Sequence, residues 1–176
     1  MDTMNDKKKN GNEMPNKHLH ELLVDELRHM LSAEKQLKKG LEKMAKAARN
    51  EKLKEAFQEH KQQTEGHIEK IKEVFQELGM SSRARKCVAI EGLIKEAEEI
   101  ADDFEGSEAL DAALIAAAQR IEHYEIASYG CMVTYADLME HEQTKKLLGE
   151  ILNEEKETDE KLTQIAMGSA NKGEES

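Results

Sequence analysis

The chain has 176 residues, enough for one domain with a buried core, and its 36% charged and 3% aromatic residues leave a β-sheet architecture short of strand formers. Its net charge of −11, from 26 basic against 37 acidic residues, argues against nonspecific nucleic-acid binding and against an anionic membrane as partner. No run approaches the roughly 18 apolar residues of a membrane span, and the polar, basic N-terminal segment lacks a signal-peptide core, so a cytoplasmic protein is expected. Cys87 and Cys131 form no CxxC pair and read as structural thiols.

Residues 1–15 are polar and glycine-containing, which predicts a disordered tail. Pro15 then precedes a helix from about His18 to Ala48. Arg49-Asn50-Glu51 is a tight connection, with Asn50 as N-cap of a second helix over about residues 51–78, which Gly79 ends. Residues 80–106 form a long connection in which Cys87, Ile90, Leu93, Ile94, Ala97 and Ile100 recur at helical spacing, so a short extra helix lies there. Ser107 is placed to cap a helix of about 108–139. A break at Glu140-His141-Glu142 leads to a last helix of about 143–167, ended by Gly168, with a frayed tail over 169–176. The expected fold is therefore all-α, a single bundle over residues 16–168 made of two antiparallel hairpins with a long crossover. That is the connectivity of ferritin-like four-helix bundles, although the lengths alone permit other helical arrangements.

Each of the four long helices interrupts its own apolar stripe with metal-ligand types. Glu34 breaks the stripe of Leu23, Leu27, Met30, Leu37, Leu41 and Met44, while His60, Thr64 and His67 sit among Phe57, Ile71, Phe75 and Leu78. Glu122, Glu125 and Tyr129 interrupt Leu114, Ala118, Met132 and Met139, and Glu155 and Thr158 interrupt Leu148, Ile151, Leu162 and Ile165. One unpaired buried carboxylate costs several kcal/mol, so four helices doing this together need a common cause, and a shared cation supplies one.

The interruptions fall at one depth. Glu34 lies 16 positions before Asn50, with Thr64 and His67 14 and 17 after it; Glu125 lies 16 before His141, with Glu155 and Thr158 14 and 17 after. At 1.5 Å per residue all lie roughly 21–26 Å from their own turn. Di-iron bundles use a Glu from each of two helices and Glu-x-x-His from the other two. Here the second helix offers Thr64-x-x-His67 and the fourth Glu155-x-x-Thr158, so each motif lacks one ligand, while the third helix adds Glu122-x-x-Glu125.

Ser32-Ala33-Glu34-Lys35-Gln36-Leu37, Cys87-Val88-Ala89-Ile90-Glu91-Gly92-Leu93-Ile94 and Asp111-Ala112-Ala113-Leu114-Ile115, running on to Glu122-His123-Tyr124-Glu125-Ile126-Ala127-Ser128-Tyr129-Gly130, carry a resemblance, as does Glu154-Glu155-Lys156 with Thr158-Asp159. Over roughly residues 19–167 the chain resembles the bacterial YciE/YciF-type ferritin-like family. The resemblance implies a ferritin-like bundle, commonly a homodimer, tied to stress responses and of poorly defined activity. Its metal-region positions carry over to Glu34, His60, His67, Glu122, Glu125, Glu155 and Asp159. Two positions depart from the family: His29 stands where Asp is common, and Leu31 where Tyr is common.

Blander readings exist for most of these positions, though less easily for Glu122 and Glu125, which Ala and Ile surround. Glu34 could pair with Lys38 on a solvated face, His60 could be a hydrogen-bonded core histidine, and Glu155 could belong to an acidic surface run. Asp159 and His123 could orient ligands from outside, Thr64 and Thr158 could bond back to their own helices, and Tyr129 could bond a carboxylate or simply pack. His18, His20 and His29 read as an exposed group, and the nine methionines as core filler. Hard carboxylates with one or two imidazoles suit two Fe ions, or Mn, with dioxygen or peroxide as the small oxidant and ferroxidase- or peroxidase-like chemistry. The competing expectation is a non-catalytic helical stress or adaptor protein with a vestigial metal site.

Overall fold

The computed structural model describes residues 15–173; the tail expected over residues 1–15 lies outside the described residues except for Pro15. Five α-helices follow, with no strand among the described residues: α1 (Lys17–Ala47), α2 (Glu51–Glu77), α3 (Val88–Asp103), α4 (Leu110–Leu138) and α5 (Glu142–Gly168). The ends obey local chemistry. Asn16 accepts the Leu19 N–H at 3.0 Å and Asn50 accepts the Leu53 N–H at 3.1 Å, satisfying backbone donors that a helix start leaves free. Gly79, at φ 65°, closes α2 in a Schellman motif, with the Met80 N–H on the Phe75 carbonyl at 2.8 Å. The expected break at Glu140 is the same motif built without glycine: Glu140 takes φ 59°, and the His141 N–H reaches the Ala136 carbonyl at 2.9 Å.

One expectation fails at a helix end. Ser107 does not cap α4; its hydroxyl accepts the Ala109 N–H at 3.2 Å inside a turn, and the helix starts at Leu110. Asp111, in the first turn of α4, has its carboxylate committed to the first hairpin turn. It accepts the Arg49 N–H at 2.8 Å and the Asn50 N–H at 3.0 Å. Past α5 the described residues continue in contact with the bundle. Asn50 donates to the Ser169 hydroxyl at 2.9 Å, a 3₁₀ turn spans Ala170–Lys172, and Ala170 is fully buried.

These bonds tie the start of α4 and the end of α5 to the α1–α2 turn. At the opposite end His20 Nδ1 lies 3.2 Å from His141 Nε2. Helices α1, α2, α5 and α4 therefore pack around the bundle in that order, each antiparallel to its neighbours, and the crossover must climb the whole length of the bundle. On the way α3 packs along α1 and α4 through Ile90 and Ala97, crossing close at Gly40, where a Cβ would stand 3.3 Å from Ile94. This is the ferritin-like four-helix bundle with one added helix.

Leu23, Leu27, Met30 and Leu31 fill the bundle at one end and Met44, Leu53, Phe57 and Leu114 at the other. Each fully buried side chain of this size contributes roughly 1.5–3 kcal/mol. The polar layer is sealed between these two apolar blocks. Among the described residues no helix is long and apolar enough to cross a membrane.

Candidate metal centre

Six of the seven expected positions converge. Helix α1 supplies Glu34, α2 supplies His60 and His67, α4 supplies Glu122 and Glu125, and α5 supplies Glu155. All six are buried, none more than 2% exposed. They fall into two groups, His60, Glu122, Glu125 and Glu155 in one and Glu34, His67 and Glu155 in the other, with the donor atoms of each group within 4.8 Å of one another.

Helical geometry explains the division. His60 and His67 are seven residues apart, two turns or about 10 Å along α2, so they share a face but cannot share one ion. Glu155 lies between them. Its Oε2 is 3.7 Å from His60 Nε2, and its Oε1 is 3.1 Å from His67 Nδ1. One carboxylate thus presents an oxygen to each group, the arrangement a bridging ligand needs. Glu122 Oε1 stands 3.1 Å from His60 Nε2, and Glu34 Oε1 stands 3.6 Å from His67 Nδ1.

The donor atoms are short of partners. Among the described residues, buried side-chain nitrogens and oxygens without a hydrogen bond belong to these six residues, Arg28 Nε apart. Both ring nitrogens of His60 and both oxygens of Glu125 and of Glu155 are in this state. Buried polar atoms are ordinarily satisfied, and each orphan costs about 1–3 kcal/mol. Their charge also fits a pair of cations: four carboxylates carry −4, and two divalent ions carry +4 with both imidazoles neutral. The residues present fit two divalent cations.

In the absence of cations, electrostatics forces protons into the layer. Burial, then the charges of Glu155, Glu34 and Glu122, raises the Glu125 carboxyl well above the usual range. Burial likewise raises Glu34 and Glu155, although the histidines pull both back. Burial alone would depress His60, but Glu122 and Glu155 carry it up to about 9. His67, also opposed by burial, is pushed up to about 11 by the adjacent carboxylates of Glu155 and Glu34.

The surrounding side chains settle several alternatives. Lys38 pairs with Glu65 at 2.9 Å, and Glu34 turns inward to accept a hydrogen bond from the fully buried Tyr129 hydroxyl. The Thr64 hydroxyl returns to the His60 carbonyl at 2.8 Å and that of Thr158 to the Glu154 carbonyl at 3.0 Å. Asp159 is outside both groups. It accepts from Gln119 Nε2 at 3.1 Å and lies 3.3 Å from His123 Nε2, one helical turn past Glu155 toward the α1–α2 turn. His123 is largely exposed. One residue that sequence reasoning missed is Glu154, whose Oε2 lies 2.8 Å from His67 Nε2. The acidic run around it conceals it, since a solvated face has the same composition.

Residues 18–174 match the family DUF892, a domain of unknown function. The chain belongs to that family. This DUF892 chain is 48% identical over 157 residues to protein YciF of Escherichia coli strain K12, covering 89% of itself and 95% of that protein. The crystal structure of the E. coli stress protein YciF superposes with a TM-score of 0.84 at 47% identity, over 89% of this chain and 99% of that one. YcfI of Rhodopseudomonas palustris, described provisionally as a structural protein, superposes at 0.82 with 38% identity, over 89% and 98% of the two chains. A Xanthomonas campestris protein at 20% identity and TM-score 0.67, over 85% and 91%, shares the fold alone.

Proposed function

We propose that this DUF892 chain is a di-metal carboxylate protein of bacterial stress responses. It would hold two Fe or Mn ions between its long helices and act on dioxygen or peroxide. The observation that carries this reading is Glu155, whose two oxygens face two separate groups of buried, unpartnered donors. Oxygen-rich donors with one imidazole per group favour Fe or Mn. Bound there, such ions supply one-electron redox steps toward a small oxidant. The chain's own part is to neutralise charge with four carboxylates, to anchor each ion with one imidazole, and to exclude water with the apolar blocks on either side. Tyr129 holds Glu34 in place by donating to its carboxylate.

Stopped-flow mixing of the ferrous protein with peroxide tests the activity. Ferric absorbance should appear faster than in buffer, and Glu122→Ala should suppress it; equal rates in wild type, variant and buffer would defeat the redox reading.

A structural, cation-free role is the second reading. It is favoured by the pairs His60–Glu122 and His67–Glu155, each at 3.1 Å, which offset part of the buried charge without any ion. The description of YcfI points the same way. A cytoplasmic homodimer is the proposed form. It rests on the family resemblance, and exposed Leu22, Val88 and Leu138 offer apolar surface for association.

A further inference from the structure

We infer that Glu154 is a positioning residue for one of the two metal subsites: it fixes the His67 ring so that Nδ1 faces Glu34 and Glu155. This inference rests on the di-metal reading and deepens it. His67 Nε2 lies 2.8 Å from Glu154 Oε2, a contact between α2 and the part-exposed Glu154 of α5, while His67 Nδ1 lies 3.1 Å from Glu155 and 3.6 Å from Glu34. Imidazole has two nitrogens, and the hydrogen bond made by one decides which lone pair the other can offer an ion. A carboxylate accepting the Nε2–H leaves Nδ1 as the donor atom to the metal and raises its basicity.

Glu154 is itself held. Lys70 Nζ reaches its Oε1 at 2.7 Å and also lies 3.5 Å from Glu150. The line Lys70–Glu154–His67 runs from the half-buried rim, where Glu154 is 32% exposed, to a fully buried ring. His60 has no such support, since both of its ring nitrogens lack a hydrogen-bond partner. The two subsites are therefore built differently. The one at His67 has its ligand oriented before any ion arrives, and the one at His60 gains its orientation from the ion.

The test uses Zn(II), which is diamagnetic and redox-inert, so no turnover is involved. Competition against a chromophoric chelator counts the ions and gives both affinities, while ¹⁵N NMR of the histidine rings reports the His67 tautomer. Wild type should bind two Zn(II) with His67 coordinated through Nδ1 and protonated at Nε2. Glu154→Leu should weaken one ion by about 10–100-fold, leave the other within about twofold, and Glu154→Gln, which keeps an acceptor oxygen, should restore much of the loss. Coordination of wild-type His67 through Nε2 overturns the inference whether or not the leucine variant folds. So do variants that keep both affinities, or that lose both equally. Wild type that binds no Zn(II), Fe(II) or Mn(II) overturns the di-metal reading itself. Two wild-type ions with an indifferent Glu154 overturn only the role assigned to this residue.

Discussion

Replacing Glu125 with leucine should make the protein more stable without metal and less stable with it. Glu125 is fully buried and neither of its oxygens has a hydrogen-bond partner. Burial and the charges of Glu155, Glu34 and Glu122 raise its carboxyl, so the cation-free chain keeps it protonated and still unsatisfied. Such a group costs about 1–3 kcal/mol, which leucine, of similar volume, removes. A domain of this size shifts by about 2–4 °C per kcal/mol, so the melting temperature in chelator should rise by roughly 2–12 °C. Metal reverses the order. A ligand at a thousand times its Kd stabilises the folded state by about 4 kcal/mol, and the variant forfeits that increment at the subsite Glu125 serves. Calorimetry of both proteins in EDTA and in excess Mn(II) should show the ranking cross. A variant that melts lower in both conditions, or an equal Mn(II) shift in both proteins, would refute the reasoning.

Stability of the cation-free protein should fall as pH rises. His60 and His67, raised to about 9 and about 11, keep protons that the unfolded chain releases near 6.5, so their contribution is complete below 6.5 and lost through those higher values. The raised carboxyls of Glu34, Glu125 and Glu155 act with the same sign from 4.5 upward. Because ions displace these protons, the stabilisation by Mn(II) should grow over the same interval; melting curves at several pH values with and without EDTA check both slopes, and parallel slopes contradict them. Tyr129→Phe removes the donor to Glu34 and should weaken one ion by about tenfold with helical content unchanged, as chelator competition and circular dichroism would show. Sedimentation velocity should find a dimer; a species near 12 or 24 subunits would point instead to a storage shell.

The depth of the polar layer was legible because helical rise is constant, so counting back from Asn50 and His141 aligns Glu34, His67, Glu125 and Glu155 before any packing is known. Their inward orientation was legible because each breaks an apolar stripe. Glu154 was not, since a one-residue step turns the side chain by only about 100° and leaves it on the rim, where an acidic run reads as solvated surface. Asp159 shows the converse. It follows Thr158 in a segment that resembles the family pattern, yet its place one turn past Glu155 sets it against Gln119 and His123. The start of α4 and the turn at Ala170 are tied to the α1–α2 turn through Asp111 and Ser169, contacts separated by 61 and 119 residues, which no local pattern encodes.

The proposed two-ion centre, with Glu155 common to both donor groups, is tested most directly by elemental analysis after anaerobic reconstitution with Fe(II) and removal of loose metal. About two ions per wild-type chain are expected, and Glu155→Ala, which removes the carboxylate common to both donor groups, should retain less than about one with its helices intact. Wild type holding below about a tenth of an equivalent, or Glu155→Ala still holding two, would contradict it.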